Sequence, residues 1–139
     1  MSFLSSLDIV GSALTTQRLR TDVIAQNITN RNTTVTASGE PYRRKQVVLQ
    51  ERELTFEETL SRVEGGVQVA AVVDSDRDFK QVYDPTNPEA NEEGYVLSPN
   101  VDVTEEMIDL MAASNAYEAN LTVLSVVKAM ITKTLDMNK

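Results

Sequence analysis

The sequence of 139 residues contains neither histidine nor cysteine. Without histidine it lacks the commonest general base and transition-metal ligand, and without cysteine it has no disulfide and no thiol nucleophile. Its five glycines form no phosphate loop of the GxGxxG or GxxxxGK type. These absences exclude most classes of enzyme, and we expect no catalytic residue, no cofactor and no metal site.

One acidic run, from Asp74 to Asp78, has the alternating carboxylates of a calcium-binding loop. Such a loop requires glycine at its sixth position and glutamate at its twelfth. The chain has Phe79 and Pro85 at those positions. We therefore interpret the run as a solvated turn that follows a strand.

Positive charge is scarce, with 13 Lys and Arg against 21 Asp and Glu and a net charge of −8. Nucleic acids and anionic lipid surfaces repel such a chain. No apolar run approaches the roughly 20 residues that cross a bilayer. We expect no nucleic-acid partner, no membrane insertion and no small-molecule substrate.

The N-terminal segment Met1–Asp8 lacks the basic and apolar stretches of a cleaved secretory signal. Two interpretations remain open at this point. The protein stays in the cytoplasm, or it is exported by a route that leaves its N-terminus uncut.

Both ends of the sequence have the apolar periodicity of long amphipathic helices. The first is predicted from Leu4 to about Asn30, and the last from Thr104, as N-cap, to about Met137. Each follows a 3-4 heptad spacing, whose positions we call the seam. The predicted seams are Phe3, Leu7, Val10, Leu14, Gln17, Thr21, Ile24 and Ile28, and then Met107, Leu110, Ser114, Tyr117, Leu121, Leu124, Lys128, Ile131 and Leu135.

Such narrow apolar stripes are typical of helices that pack against other helices. The simplest arrangement is a coiled-coil-like pair of the two terminal helices, either antiparallel or parallel. Further apolar positions then stay uncovered, namely Leu19, Val23, Val123, Val127 and Met130. This surplus favours assembly with other chains, and the alternative is a compact monomer covered by the middle of the chain.

The middle of the chain contains short β-branched runs bounded by turn residues. Strands are predicted at 46–49, 67–73, 81–83 and 95–97, with a short helix near 56–63. The fold class is therefore α+β, with long terminal helices and a small β-rich middle domain. The predicted boundaries are 1–33 for the N-terminal helix and its exit turn, 34–103 for the β-rich domain and 104–139 for the C-terminal helix.

The basic run Arg43-Arg44-Lys45 has two interpretations. It is a charged edge before a strand, which discourages unwanted strand pairing, or a basic contact for an acidic neighbouring subunit.

Several motifs resemble the flagellar rod, hook and hook-associated proteins, which are the axial proteins of the bacterial flagellum. Val23-Ile-Ala-Gln-Asn-Ile-Thr-Asn30, preceded by Gly11-Ser-Ala-Leu14, is similar to their N-terminal motif. The segments 39–48, 83–96 and 99–103, and the last helix, resemble the short proximal-rod members. The motif residues that we single out are Asn27, Asn30, Gly39, Pro41, Tyr42, Arg43, Arg44 and Lys45.

This resemblance implies a structural subunit of the proximal rod, the drive shaft that transmits torque. It implies partners, namely further copies, other rod proteins and the flagellar type III export apparatus. It also implies export across the cytoplasmic membrane without signal cleavage, and terminal helices packed as a tube around the export channel. Asn27 and Asn30 are then expected to satisfy backbone groups where the first helix ends. The expected assembly residues are Leu7, Val10, Leu14, Ile24, Ile28, Leu110, Tyr117, Leu121, Leu124, Ile131 and Leu135.

Two alternatives stay open beside this interpretation. The chain is another short axial or rod-associated subunit, with the same architecture at a different position. Or it is a cytoplasmic helical adaptor or export chaperone, which forms a small defined oligomer and stays inside the cell.

Overall fold

The computed structural model describes residues 3–53, 56 and 65–137 of the chain. Two long helices form the ends of the chain, and two β-hairpins lie between them in the sequence. This confirms the predicted α+β class. The predicted short helix near 56–63 lies outside the described residues except for Phe56. The elements in chain order are α1 (Phe3–Thr29), β1 (Lys45–Glu51), β2 (Val67–Asp74), β3 (Lys80–Tyr83), β4 (Tyr95–Ser98) and α2 (Val103–Asp136).

The two helices pack against each other as an antiparallel pair. Asn27, near the end of α1, bonds Glu106, near the start of α2. Arg20, two turns earlier in α1, bonds Asp109, one turn later in α2. Because α2 has 34 residues and α1 has 27, the last turns of α2 extend beyond the first turn of α1.

The β1–β2 hairpin lies along α1 for about four helical turns. At one end Asn27 bonds both backbone groups of Lys45. At the other end the Ser12 hydroxyl accepts the backbone N–H of Val67 at 3.1 Å. A Cβ on Gly66 would lie 2.5 Å from the Ser12 Oγ, so only glycine permits this approach.

Helix α1 is therefore packed against both α2 and the hairpin, which corrects one expectation. Val23 was predicted to stay uncovered, but it is buried because β1 and β2 contact α1. Leu19, Val123 and Met130 are exposed, as expected from the pattern, whereas Val127 is half-buried.

The strands form two separate antiparallel ribbons, β1–β2 and β3–β4. In the first, Lys45 stands opposite Asp74, and the register shifts between Val48 and Leu49. In the second, Tyr83 and Tyr95 stand opposite each other in edge-to-face contact, with ring centroids 5.3 Å apart. Both ribbons keep apolar side chains in contact with solvent.

The N-cap of helix α2 lies two residues earlier than predicted, at Asp102 rather than Thr104. The Asp102 carboxylate accepts the backbone N–H groups of Thr104 and Glu105. This is the ordinary chemistry of an N-cap residue, whose side chain satisfies donors that have no partner within the helix.

Candidate assembly surface and junction cluster

A buried polar cluster lies where α1, β1 and α2 meet. We call it the junction cluster and define it as Asn27, Tyr42, Arg44, Asn100 and Glu106. Each is buried, and they come from four separate parts of the sequence. A polar group in such a place is costly unless it is hydrogen-bonded.

Arg44 is the cation of the junction cluster, and its side chain is only 6% exposed. Its Nε donates to Glu106 Oε1, and its Nη2 donates to Asp109 at 2.9 Å. Its backbone N–H donates to the Asn100 side chain at 2.7 Å. Asn100 in turn donates to the Arg77 carbonyl. The backbone of Arg44 is thus held by Asn100, and its guanidinium is held by the carboxylates of α2.

Asn27 connects the two helices to the first strand. Its amide donates to the Lys45 carbonyl at 2.8 Å and to Glu106 Oε2 at 3.0 Å. Its oxygen accepts the Lys45 backbone N–H and the Tyr42 hydroxyl. The backbone groups that Asn27 satisfies are thus those of β1, rather than those at the end of α1.

Glu106 has no exposed surface at all. It lies in the first turn of α2, where the helix dipole favours a negative charge. Its two carboxylate oxygens are occupied by Arg44 and Asn27. A buried carboxylate requires such a cation and such a donor to offset its lost hydration.

The Tyr42 hydroxyl remains a neutral donor within the cluster. Burial raises the pKa of Tyr42, and the negative charges of Asp74 and Glu106 raise it further. A neutral hydroxyl can donate to Asn27 at 3.0 Å, whereas a phenolate could not.

Two carboxylates at the start of α2 are more exposed than Glu106, namely Asp102 at the N-cap and Glu105 in the first turn. The Arg77 guanidinium donates to both Glu105 oxygens, at 2.6 and 3.0 Å. This hydrogen bond lowers the pKa of Glu105, and the backbone N–H groups of Thr104 and Glu105 lower the pKa of Asp102. Both groups therefore favour their charged forms in the folded state.

These two shifts predict that acid destabilises the start of α2. A carboxyl whose pKa is lowered by folding stabilises the fold above its unfolded pKa, about 4, and loses that contribution as pH falls through its folded pKa. The melting temperature should therefore fall below about pH 4. Asp102→Asn keeps a capping side chain but cannot titrate, so its melting temperature should fall less over the same range. Circular dichroism melts between neutral and acid pH measure both curves, and identical curves would contradict the role of Asp102.

The remaining family-motif residues are engaged within the chain. Arg43 lies over the Phe79 ring at 4.3 Å, and Lys45 pairs with Asp74 at 3.0 Å. Asn30 donates to the Gln26 carbonyl at the end of α1. Gly39 adopts a φ of 82°, which glycine accepts without strain, and Pro41 is buried beside Tyr42.

The basic run is therefore not a single surface. Arg44 points into the junction cluster, so it has little surface left for a neighbouring subunit. Arg43 and Lys45 keep partly exposed side chains, and a contact of these two with an acidic neighbour stays a prediction.

The structure places the predicted seam residues of α1 at or near the pair. Val10 and Ile24 are buried, and Leu7, Leu14 and Ile28 are half-buried. Thr16 is also buried, at 3% exposure. The heptad pattern does not reveal it, because it lies outside the apolar stripe.

In the predicted seam of α2, half-buried and exposed side chains alternate. Leu110, Tyr117, Leu124 and Ile131 are half-buried, as expected. Leu121 and Leu135, however, are 42% and 62% exposed. Buried and half-buried side chains of α2 recur at heptad spacing, and we call these positions the observed seam: Glu106, Leu110, Ala113, Tyr117, Asn120, Leu124, Val127 and Ile131. Val103, Glu105, Asp109 and Ala116 are half-buried as well.

Many large apolar side chains of α2 remain in contact with solvent. They occur along the whole helix rather than at one end. They are Met107, Ile108, Met111, Leu121, Val123, Val126, Met130, Leu135 and Met137. A monomer rarely exposes so much apolar surface on one element, and such surface marks an interaction site.

Neither a membrane span nor a metal cluster is found in the described part of the chain. No helix there is long and apolar enough to cross a bilayer. No group of three acidic side chains is arranged to hold a metal ion among the residues searched.

Two family models match the chain, and together they cover most of α1 and the whole of α2. The model described as Flagella basal body rod protein matches residues 7–35. The model described as Flagellar basal body rod FlgEFG protein C-terminal matches residues 92–137. Asn27 lies in the first matched segment and Glu106 in the second, so the junction cluster joins the two.

Full-length relatives agree with the models. The chain is similar to the flagellar basal-body rod protein FlgC of Bacillus subtilis, with 43% identity over 150 residues and complete coverage of both chains. It is 44% identical over 139 residues to FlgC of Salmonella typhimurium and 45% identical over 139 residues to FlgC of Escherichia coli, again with complete coverage. The chain belongs to the FlgC family of flagellar basal-body rod proteins.

Membership of the FlgC family confirms the predicted resemblance to flagellar axial proteins. It identifies the chain as a structural rod protein, and its place as the rod of the flagellar basal body. The FlgC relatives are named for a part of a structure rather than for a reaction.

Proposed function

We propose that this FlgC-family chain polymerises with other rod proteins in the proximal rod, where it transmits torque and surrounds the export channel without any enzymatic activity. The observation that carries this proposal is the row of exposed apolar side chains on α2. Pairing with α1 leaves these side chains uncovered, and contacts with further chains would remove them from water.

The extended shape of the helix pair fits a helical array. A helix of 34 residues is about 50 Å long, and its exposed residues occur from Met107 to Met137. An interface that joins different surfaces of successive subunits, and does not close into a ring, generates such an array. Torque can then pass between subunits through many side contacts at once.

The partners in this proposal are further copies of the chain, other rod proteins and the flagellar type III export apparatus. We infer that the chain crosses the cytoplasmic membrane by this apparatus with an uncut N-terminus. The β1–β2 hairpin would then lie outside the tube of helices, because it packs along α1.

Deletion of the gene in its own host tests the proposal. We expect electron cryotomography of the deleted cells to show membrane rings without a rod, and swimming to be lost. Plasmid-borne protein should restore both. Complete rods and hooks in the deleted cells would overturn the proposal in favour of a cytoplasmic adaptor or export chaperone.

A further inference from the structure

The apolar pattern of α2 does not determine which side of the helix faces α1. The observed seam and the seam predicted from sequence share Leu110, Tyr117, Leu124 and Ile131. They differ at the positions between these four. The observed seam uses Glu106, Ala113, Asn120 and Val127, and the other stripe would use Met107, Ser114, Leu121 and Lys128.

Hydrophobic burial favours the stripe that the structure does not use. Each set of alternating positions holds two apolar and two polar residues. Met107 and Leu121 are larger than Ala113 and Val127, so their burial would remove more apolar surface from water. The difference must therefore come from the polar residues of the two stripes, among them Glu106 in one and Lys128 in the other.

The two arrangements are close in geometry. Successive residues of a helix are 100° apart, so the centres of the two stripes differ by a rotation of about 50° around the axis of α2. A rotation of this size would carry Glu106 out of the interface and bring Met107 into it.

The junction cluster distinguishes the two arrangements. Arg44 and Asn27 are held by groups that do not belong to α2, since Asn100 fixes the backbone of Arg44 and Lys45 fixes the side chain of Asn27. Rotation of α2 would withdraw the Glu106 carboxylate from both. A charge that is left buried without its partner is strongly destabilising.

We propose that the contacts of Glu106 with Arg44 and Asn27 select the rotation of α2 on α1. A single buried polar residue in a heptad seam can specify register in this way, at some expense of stability. In this chain the selection turns Met107 and Leu121 outward. The consequence for assembly rests on the proposed function, but the selection itself concerns only the folded chain.

The absence of cysteine permits a direct test by thiol labelling. Ala113→Cys and Leu121→Cys, made separately in the full chain, report on a fully buried and an exposed position. With a water-soluble maleimide, we expect the thiol at position 113 to react at least about tenfold more slowly than that at 121, because it reacts only after local opening.

The decisive variant exchanges two neighbours, Glu106→Met together with Met107→Glu. The composition is unchanged, but the carboxylate moves to the other stripe. We expect the labelling order to reverse, with the thiol at position 121 slowed by about fivefold or more and the thiol at 113 accelerated. An exchanged chain with unchanged labelling rates at both positions would overturn the proposal.

A second variant, Arg44→Met together with Glu106→Leu, removes the buried charges altogether. If the charges select the rotation, the ratio of the two labelling rates should fall from about tenfold toward unity. A ratio that stays high would show that the apolar packing alone selects the rotation. Loss of helical circular dichroism in both variants would also overturn the proposal, because the charges would then be required for folding itself. Neither result depends on whether rods form.

Discussion

Glu106→Ala should lower the free energy of unfolding by about 3–5 kcal/mol, because it leaves the buried Arg44 without its main partner. Domains of this size are stable by only about 5–15 kcal/mol, so the variant would lose a large share of its stability. Urea unfolding followed by far-ultraviolet circular dichroism measures the change. The same experiment at two protein concentrations separates folding from self-association.

Asp109→Ala is the matched control for this experiment. Asp109 lies one turn further along α2 and also pairs with Arg44, at 2.9 Å, but its side chain is 35% exposed. Solvent screens such a pair, and its loss should cost no more than about 1 kcal/mol. Equal losses in the two variants would show that burial of Glu106 does not determine the strength of the contact.

The stability of the junction cluster and its selective role are different quantities. Removal of Glu106 leaves the buried Arg44 with only its more exposed partner Asp109, whereas replacement of both buried charges by apolar residues of similar size is often neutral or stabilising. Arg44→Met with Glu106→Leu should therefore be more stable than Glu106→Ala. If it is, the cluster contributes a preference for one arrangement more than it contributes stability.

The elements of the fold could be predicted because their signals are local. The strands follow from short β-branched runs bounded by turns, and all four appear within one or two residues of their predicted ends. The helices follow from apolar periodicity sustained over many turns. A local pattern of this kind does not depend on what the rest of the chain does.

The direction of the helix pair and the burial of Val23 could not be predicted in the same way. The direction of the pair is given by the bonds of Asn27 to Glu106 and of Arg20 to Asp109. The burial of Val23 depends on the β1–β2 hairpin, which is held by contacts between Ser12 and Val67 and between Asn27 and Lys45. These contacts join residues far apart in the sequence, and no periodicity reveals them.

Five of the nine predicted seam residues of α2 are exposed in the folded chain, for a related reason. Glutamate is almost never fully buried unless it is paired, so apolar periodicity does not indicate a stripe that includes Glu106. Its partner Arg44 is 62 residues away in the sequence. A hint was present, since Glu106 lies four residues before Leu110 and seven before the buried Ala113, at heptad spacing.

Leu121→Asp should abolish rod assembly and swimming while leaving the isolated chain folded. The Leu121 side chain is 42% exposed, so its replacement changes the monomer little. In an assembled rod, the same position would lose apolar burial and would place an unpaired carboxylate in an apolar contact, at a combined cost of at least about 3 kcal/mol. That corresponds to roughly a 100-fold weaker contact.

Two further variants determine how this result is interpreted. Thr122→Asp introduces the same charge at the next exposed residue of α2 but removes no large apolar side chain, so we expect it to impair rod formation and swimming less than Leu121→Asp. Leu14→Asp should also abolish swimming, but Leu14 is half-buried in the helix pair, so that variant should lose helical circular dichroism as well. Assembly through the exposed face of α2 therefore predicts that Leu121→Asp alone separates folding from rod formation. Normal swimming of this variant would mean that Leu121 does not contact a neighbouring subunit.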